Sequence, residues 1–283
     1  MNKSLFKLPK AILDDAKTLM RSFLLFLGIE KKYPNQPFSM RDRAKILSTK
    51  RYTPFKINFF DRPFYIADSM TFMSGFKDIF KREPYKFNFN INSPWIIDCG
   101  ANIGLSVIYF KRHYPDAKLI AIEPDPELFD ILKKNLDSFG YNDVVLMQKA
   151  VWYKEGIVRF KQEGGFSGQI SKNNDAPNII EVETIALERL LRNIKVGFLK
   201  IDIEGAENDI FYNTSPNLID VDNIFIEYHS RKDDKQHLHA ILASLYDQEF
   251  RYHIHHEFIS SSPFVNKSEL VGMDLQLSVF GCK

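Results

Sequence analysis

The stretch WIIDCGANIGLSVIYF, Trp95 to Phe110, sets a carboxylate at the end of an apolar run, with Gly100 and Gly104 just behind it. Trp95, Ile96 and Ile97 read as a buried strand, and the apolar spacing that resumes at Gly104 reads as a helix. A strand that runs through a glycine turn into a helix is the first half of a βα unit. In an open α/β sheet the carboxyl ends of the strands face the ligand. The question becomes which ligand Asp98 would meet.

Working outward, strand and helix patterns alternate. Strands are predicted at 95–98, 118–123, 143–147, 197–202 and 223–228, and helices near 104–113, 126–138, 185–192, 205–212 and 234–247. This is an α/β pattern with a mostly parallel, Rossmann-like sheet. GIVRF (Gly156–Phe160) and IIEVETI (Ile179–Ile185) suggest an extra strand pair. RYHIHHEF (Arg251–Phe258) and DLQLSVFG (Asp274–Gly281) alternate and suggest a closing antiparallel pair at the sheet edge. Upstream, residues 4–29 read as amphipathic helix, 55–68 as two strands around an Asp61–Arg62–Pro63 turn, and 69–82 as a helix opened by Ser69. Three units are expected: a basic helical arm over 1–52, a β-hairpin plus helix cap over 53–92, and the Rossmann-like domain over 93–283.

The 283 residues are 45% apolar and 26% charged, enough for a substantial core. The net charge of +2 gives no argument for nucleic acid. Residues 1–56 hold 13 lysines and arginines against four acids, a net +9, which leaves −7 on the remainder. Such an arm suits an anionic membrane face or an acidic protein partner. Cys99 and Cys282 make no disulfide framework, and a buried free thiol fits a reducing, cytoplasmic setting. FLLFLG (Phe23–Gly28) is too short to span a bilayer and lacks a small-residue cleavage site, so neither a leader nor an anchor is expected there.

Each predicted strand end carries polar residues. The first ends in Asp98, Gly100, Ala101, Asn102 and Gly104, the second in Glu123, the third in Gln148, Lys149 and Ala150, the fourth in Lys200, Asp202 and Glu204, the fifth in Glu227 and His229. Glu123 follows Gly104 by 19 residues, a spacing suited to gripping ribose hydroxyls. The motif is not G-x-G-x-x-G, because the middle glycine that admits a pyrophosphate is missing. Asp98 would repel a diphosphate and suit a cationic amino-acid end. S-adenosylmethionine has a ribose, an ammonium and a sulfonium, and no phosphate.

DCGANIG, AIEPDP and FLKIDIEGAE together resemble the FkbM family of S-adenosylmethionine-dependent methyltransferases, within the class I group, over about Trp95 to His229. The resemblance implies a seven-stranded sheet with a reversed final strand. It also implies O-methylation, often of a sugar hydroxyl in a glycan, glycolipid or glycosylated metabolite. By motif, Asp98, Gly100, Ala101, Asn102 and Gly104 would surround the methionine part, and Glu123 with Pro124 the ribose. Ala150 would border the adenine beside Gln148 and Lys149, where class I enzymes often place an acid.

A sugar hydroxyl is a weak nucleophile, so a base or a metal would help. Asp202 is the first candidate to face the methyl group. Lys200, Asp202 and Glu204 would share one strand face if the strand persists, as would Glu227 and His229. His229 can serve as a general base from its near-neutral ordinary value. Asp202, Glu227 and His229 could also hold a divalent cation, although their spacing matches no recognised metal pattern and no metal is predicted. GGFSG (Gly164–Gly168) is either a lid or a plain loop. The competing readings are an NAD-dependent oxidoreductase, disfavoured by the glycine pattern and Asp98, and a non-catalytic methyltransferase-like binding module.

Overall fold

The computed structural model describes residues 37–88, 94–163, 168–171, 178–232, 234–265 and 272–283. The predicted helices of the arm at 4–29, and all of GGFSG except Gly168, lie outside these residues. The chain begins with α1 (Met40–Ser48), β1 (Phe55–Phe59), β2 (Arg62–Ile66) and α2 (Ser69–Lys81). It continues with β3 (Trp95–Cys99), α3 (Leu105–His113), β4 (Lys118–Ile122), α4 (Pro126–Phe139) and β5 (Val145–Met147). Next come β6 (Ala150–Trp152), β7 (Gly156–Lys161), β8 (Gln169–Ile170), β9 (Ile179–Ala186) and α5 (Leu187–Leu191). The last elements are β10 (Val196–Ile201), α6 (Ala206–Thr214), β11 (Val221–Arg231), α7 (Leu238–Asp247), β12 (Arg251–Ile259) and β13 (Met273–Cys282).

Seven strands form the main sheet in the order β12-β13-β11-β10-β3-β4-β5. β3, β4, β5, β10 and β11 are parallel, and β13 runs against both its neighbours. The chain steps from β3 toward β5 on one side and from β10 toward β11 on the other. The switch point, and so the ligand crevice, lies between β3 and β10. The central strands are apolar on both faces because both are covered. Ile96, Phe198 and Phe225 face one core, and Ile97, Leu199, Ile201 and Ile226 the other. Cys99 is buried in the second core, where burial pushes its thiol up and keeps it inert.

Several elements depart from the sequence pattern. The closing antiparallel pair lies at the sheet edge as expected; its order was not legible, β13 sitting inside against β11 with β12 outermost. β11 runs on to Arg231, which puts His229 inside a strand rather than beyond one. β10 ends at Ile201. Period-2 alternation therefore stops before Glu204, which sits in a turn at φ 54° ahead of Gly205 at φ 104°. The helix expected over 185–192 shrinks to α5, because β9 keeps residues through Ala186 in the second sheet. That sheet has the order β6-β9-β7-β8.

The hairpin β1–β2 and α2 pack on the first core through phenylalanines. Phe59, Phe64 and Phe72 are fully buried, with ring centroids 5.2–5.7 Å apart. The cap of α2 is Asp68 rather than Ser69: its carboxylate accepts the Thr71 amide at 2.9 Å and the Tyr52 amide at 2.9 Å. Residues 37–52 also pack here, since Phe38 meets Phe76 at 5.0 Å and Ile46 is 1% exposed. Asn135 on α4, fully buried, ties the hairpin to the crevice. It accepts from the Tyr65 amide at 2.7 Å and donates to Ile103 O at 2.8 Å. Among the described residues no helix is long and apolar enough to cross a membrane.

Candidate active site

The glycine loop after β3 uses its own amides internally. Gly100 and Ala101 donate to Ile122 O, Asn102 to Glu123 Oε2, Ile103 to Asn102 Oδ1, and Gly104 to Ala101 O. A phosphate cradle needs free amides, and this run has none to offer. Gly100, at φ 90°, is glycine for a reason other than ligand approach. A Cβ there would lie 1.9 Å from the Asp202 carbonyl oxygen, so the two loops that wall the crevice touch at this point.

Asp98 does not open onto the crevice. It is fully buried, accepts from Ser106 Oγ at 2.5 Å, and pairs in register with Lys200 across the β3–β10 ladder. Lys200 Nζ lies 3.1 Å from Asp98 Oδ1 and 3.3 Å from Asp202 Oδ2, and donates to Gly100 O at 3.0 Å. Its approach to Oδ1 is a charge contact rather than an aligned hydrogen bond. Burial pulls the lysine down, but the Asp98 and Asp202 carboxylates win and hold it well above its ordinary value. The ammonium, not Asp98, lines the cavity.

Glu123, 4% exposed, clamps two turns: Oε2 accepts from Asn102 and Oε1 from the Asp125 amide at 3.0 Å. Burial outweighs these bonds and pushes it up to about 8. Gly100, Glu123, Asp202 and Glu204 line both a cavity of about 660 Å³ and a recess of about 30 Å³. Pro124, Lys149 and Ala150 line the recess with Ile203 and with Phe160 of the second sheet. Gln148 is exposed and lines neither.

At the far wall stand Glu227 and His229. Burial first, and Asp202 beside it second, push Glu227 up to about 8. Gln276 donates to its carboxylate. His229 is 1% exposed, with Nδ1 3.1 Å from Glu207 Oε1 and Nε2 3.8 Å from Glu204 and 3.9 Å from Glu227. Burial lowers the imidazole, and the Glu204 and Glu207 charges more than reverse this, raising it well above its ordinary value. A protonated imidazole accepts nothing. Of the two neighbours, Glu227 is the one brought toward neutrality, while the imidazole holds its proton.

The larger cavity falls within the ~300–1,000 Å³ range of small-ligand sites. α2 roofs it through Thr71, Ser74 and Asp78, with Arg82 just past the helix end, and β13 closes it through Gln276 and Phe280. Its described lining holds seven carboxylates against three lysine and arginine side chains. With Glu123 and Glu227 raised to about 8 and His229 holding its proton, much of that acid excess is neutralised near pH 7, and the wall suits neutral polar ligands.

A family model described as "Methyltransferase FkbM domain" matches residues 98–253. The chain belongs to the FkbM methyltransferase family. It is an S-adenosylmethionine-dependent methyltransferase, as the FkbM resemblance implied. "Methyltransferase sdnD" of Sordaria araneosa is 28% identical over 178 residues, covering 48% of this chain and 66% of that protein. "Methyltransferase 1" of Beauveria bassiana (strain ARSEF 2860) is 24% identical over 193 residues, 59% of this chain and 78% of that protein. Among solved structures, M. jannaschii TYW2 in complex with AdoMet overlaps 82% of this chain and 86% of its own at a TM-score of 0.43 and 14% identity. That overlap is loose, and the class I fold rests on the strand order and the FkbM match.

The FkbM cofactor has no phosphate and a positive centre, which suits a loop without free amides beside an acid-lined cavity. Glu207 is a residue the sequence reading passed over. It is fully buried on the face of α6 that carries Ala206, Ile210 and Phe211. An acid on an apolar helical face was the signal. Gln276 and Phe280 were legible only as alternate positions on β13, since nothing in the sequence places β13 beside β11.

Proposed function

We propose that this FkbM enzyme methylates a hydroxyl of a carbohydrate, in a glycan, a glycolipid or a glycosylated small molecule. The observation that carries the reading is the wall of the larger cavity. Carboxylates there can accept from several hydroxyls, while Tyr85, Phe225 and Phe280 offer apolar faces to a sugar ring.

Glu123 would accept from the ribose hydroxyls with its remaining lone pairs, and Pro124, Ala150 and Lys149 would border the adenine in the recess. Gly100, Ala101, Asn102 and Gly104 would pass the methionine part, with Asp98 acting through Lys200. When bound, S-adenosylmethionine supplies a methyl carbon on a sulfonium: the acceptor oxygen bonds to it, the C–S electron pair stays on sulfur, and the hydroxyl proton is left to be taken up. Asp202, fixed by Lys200, would align the hydroxyl. Glu227, poised near neutrality, would receive its proton. His229 would balance the acids, and Glu204, held out by its left-handed turn, would bind a second hydroxyl. The basic arm would dock on an anionic membrane face or an acidic protein, a reading that its charge alone supports.

The test is a methyl-transfer assay with glycan fractions and glycosylated small molecules, the products mapped by mass spectrometry. The expected product carries one added methyl on a sugar oxygen, with S-adenosylhomocysteine formed in equal amount. Methylation at a nucleic-acid base or an amine, or no binding of S-adenosylmethionine, overturns the reading.

A further inference from the structure

We propose that Asp202, Glu227 and His229 form a site for one divalent cation of the manganese or magnesium class, set against the acceptor. This deepens the methyl-transfer reading and rests on it. One donor atom from each of the three residues lies within 4.8 Å of the others. An octahedral ion with bonds of about 2.1 Å holds adjacent donors ~3 Å apart and opposite ones ~4.2 Å apart. Binding would draw the side chains together, His229 Nε2 and Glu227 by about 0.9 Å from their present 3.9 Å if they take adjacent positions.

Two acids near one another are common on surfaces, and alone they would carry nothing. The histidine changes the argument. Its side chain is 1% exposed, yet it lines the cavity. Nε2 points into the cluster with no hydrogen-bond acceptor in reach among the described residues, its nearest carboxylates being 3.8 and 3.9 Å away. Nδ1 is pinned from behind by Glu207, which also accepts the His229 amide at 2.7 Å and, through its other oxygen, the Gly205 amide at 2.9 Å. A buried carboxylate on one ring nitrogen, with the other aimed at carboxylates, is how proteins orient a metal-ligating histidine. Gln276 orients Glu227 in the same way. An ion would take the place of the proton on Nε2.

Three protein donors leave about three positions of an octahedral shell open to the cavity. Two adjacent sugar hydroxyls fit them, which selects a vicinal diol as acceptor. Lewis acidity there eases loss of the hydroxyl proton; with Glu227 held on the ion, that proton passes to the Glu204 carboxylate on the same cavity wall, and the balance of the transfer is unchanged.

The experiment titrates the full chain with Mn²⁺ and follows the free ion by electron paramagnetic resonance. Binding of S-adenosylmethionine is measured separately by calorimetry. One saturable Mn²⁺ per chain is expected, weakened at least tenfold in Glu227→Gln and His229→Ala. Asp78→Asn removes an equal charge from the same cavity wall and should leave Mn²⁺ affinity within twofold. Glu207→Gln, its fold checked by melting, should weaken Mn²⁺ about tenfold through the ring orientation alone. A wild-type protein that binds S-adenosylmethionine but no saturable Mn²⁺ overturns the cation site and leaves methyl transfer standing. Equal Mn²⁺ affinity in all variants also overturns it. Failure to bind S-adenosylmethionine overturns the functional reading itself.

Discussion

Lys200→Met tests how the crevice is held together. Methionine keeps the length of the side chain and removes its charge. Asp98, with no exposure to water, then keeps only Ser106 as a donor. Breaking a buried ion pair on one side costs about 3–5 kcal/mol, mostly the uncompensated charge left behind. At about 2 °C per kcal/mol for a chain of this size, melting should fall by roughly 6–10 °C. Asp98→Asn in the Lys200→Met background removes the orphaned charge and should recover a large part of that loss. The double-mutant cycle should show a coupling of at least about 1 kcal/mol. Cofactor affinity should behave differently, because Lys200 also holds the Gly100 carbonyl at 3.0 Å and Asp98→Asn does not restore that bond. Urea and thermal denaturation of the four proteins, with calorimetric titration of S-adenosylmethionine, separate the two effects. Melting of Lys200→Met within 2 °C of wild type, or strictly additive losses, would refute the reasoning.

Three other outcomes are expected. Burial holds Glu123 at about 8 in the free protein, so it is mostly protonated at pH 7, and hydroxyl donors in a complex favour its ionised form. Binding of S-adenosylmethionine should therefore release protons at pH 7 and tighten as the pH rises toward 8. Calorimetry in two buffers of different ionisation enthalpy reads this directly, and Glu123→Gln should abolish the release. Gly100→Ala puts a methyl 1.9 Å from the Asp202 carbonyl at a backbone φ of 90°. The left-handed conformation alone costs roughly 1–2 kcal/mol, and the displaced carbonyl should weaken cofactor binding at least tenfold, measured on folded protein. Deleting residues 1–36 leaves every described core residue in place. Deleting residues 1–50 also removes Phe38 and Ile46 from the aromatic core and should lower stability by about 2–5 kcal/mol; equal melting of both truncations would contradict that packing.

Much of this site was legible one strand end at a time. Gly100, Glu123, Lys200, Asp202, Glu204, Glu227 and His229 meet at one cavity because parallel strands place all their carboxyl ends on one edge of the sheet. What periodicity could not supply was neighbourhood. Asp98 reads in sequence as a ligand carboxylate, and only the β3–β10 register, with Lys200 opposite it, shows where its charge goes.

The same limit separates Glu227 from His229. Two residues apart on one strand face, they look like interchangeable bases, and the ordinary value of histidine makes it the natural choice. Their environments push them in opposite senses of usefulness. Glu207, carried on α6, and Glu204, in the turn before it, surround the imidazole with negative charge and keep its proton on. Glu227, part-buried beside Asp202, has its affinity for a proton raised to about 8. Neither α6 nor the turn is local to β11 in sequence, so a strand pattern alone could not rank the pair. Where two titratable groups are driven to different protonation states by elements distant in the chain, tertiary packing assigns the chemistry that residue type leaves open.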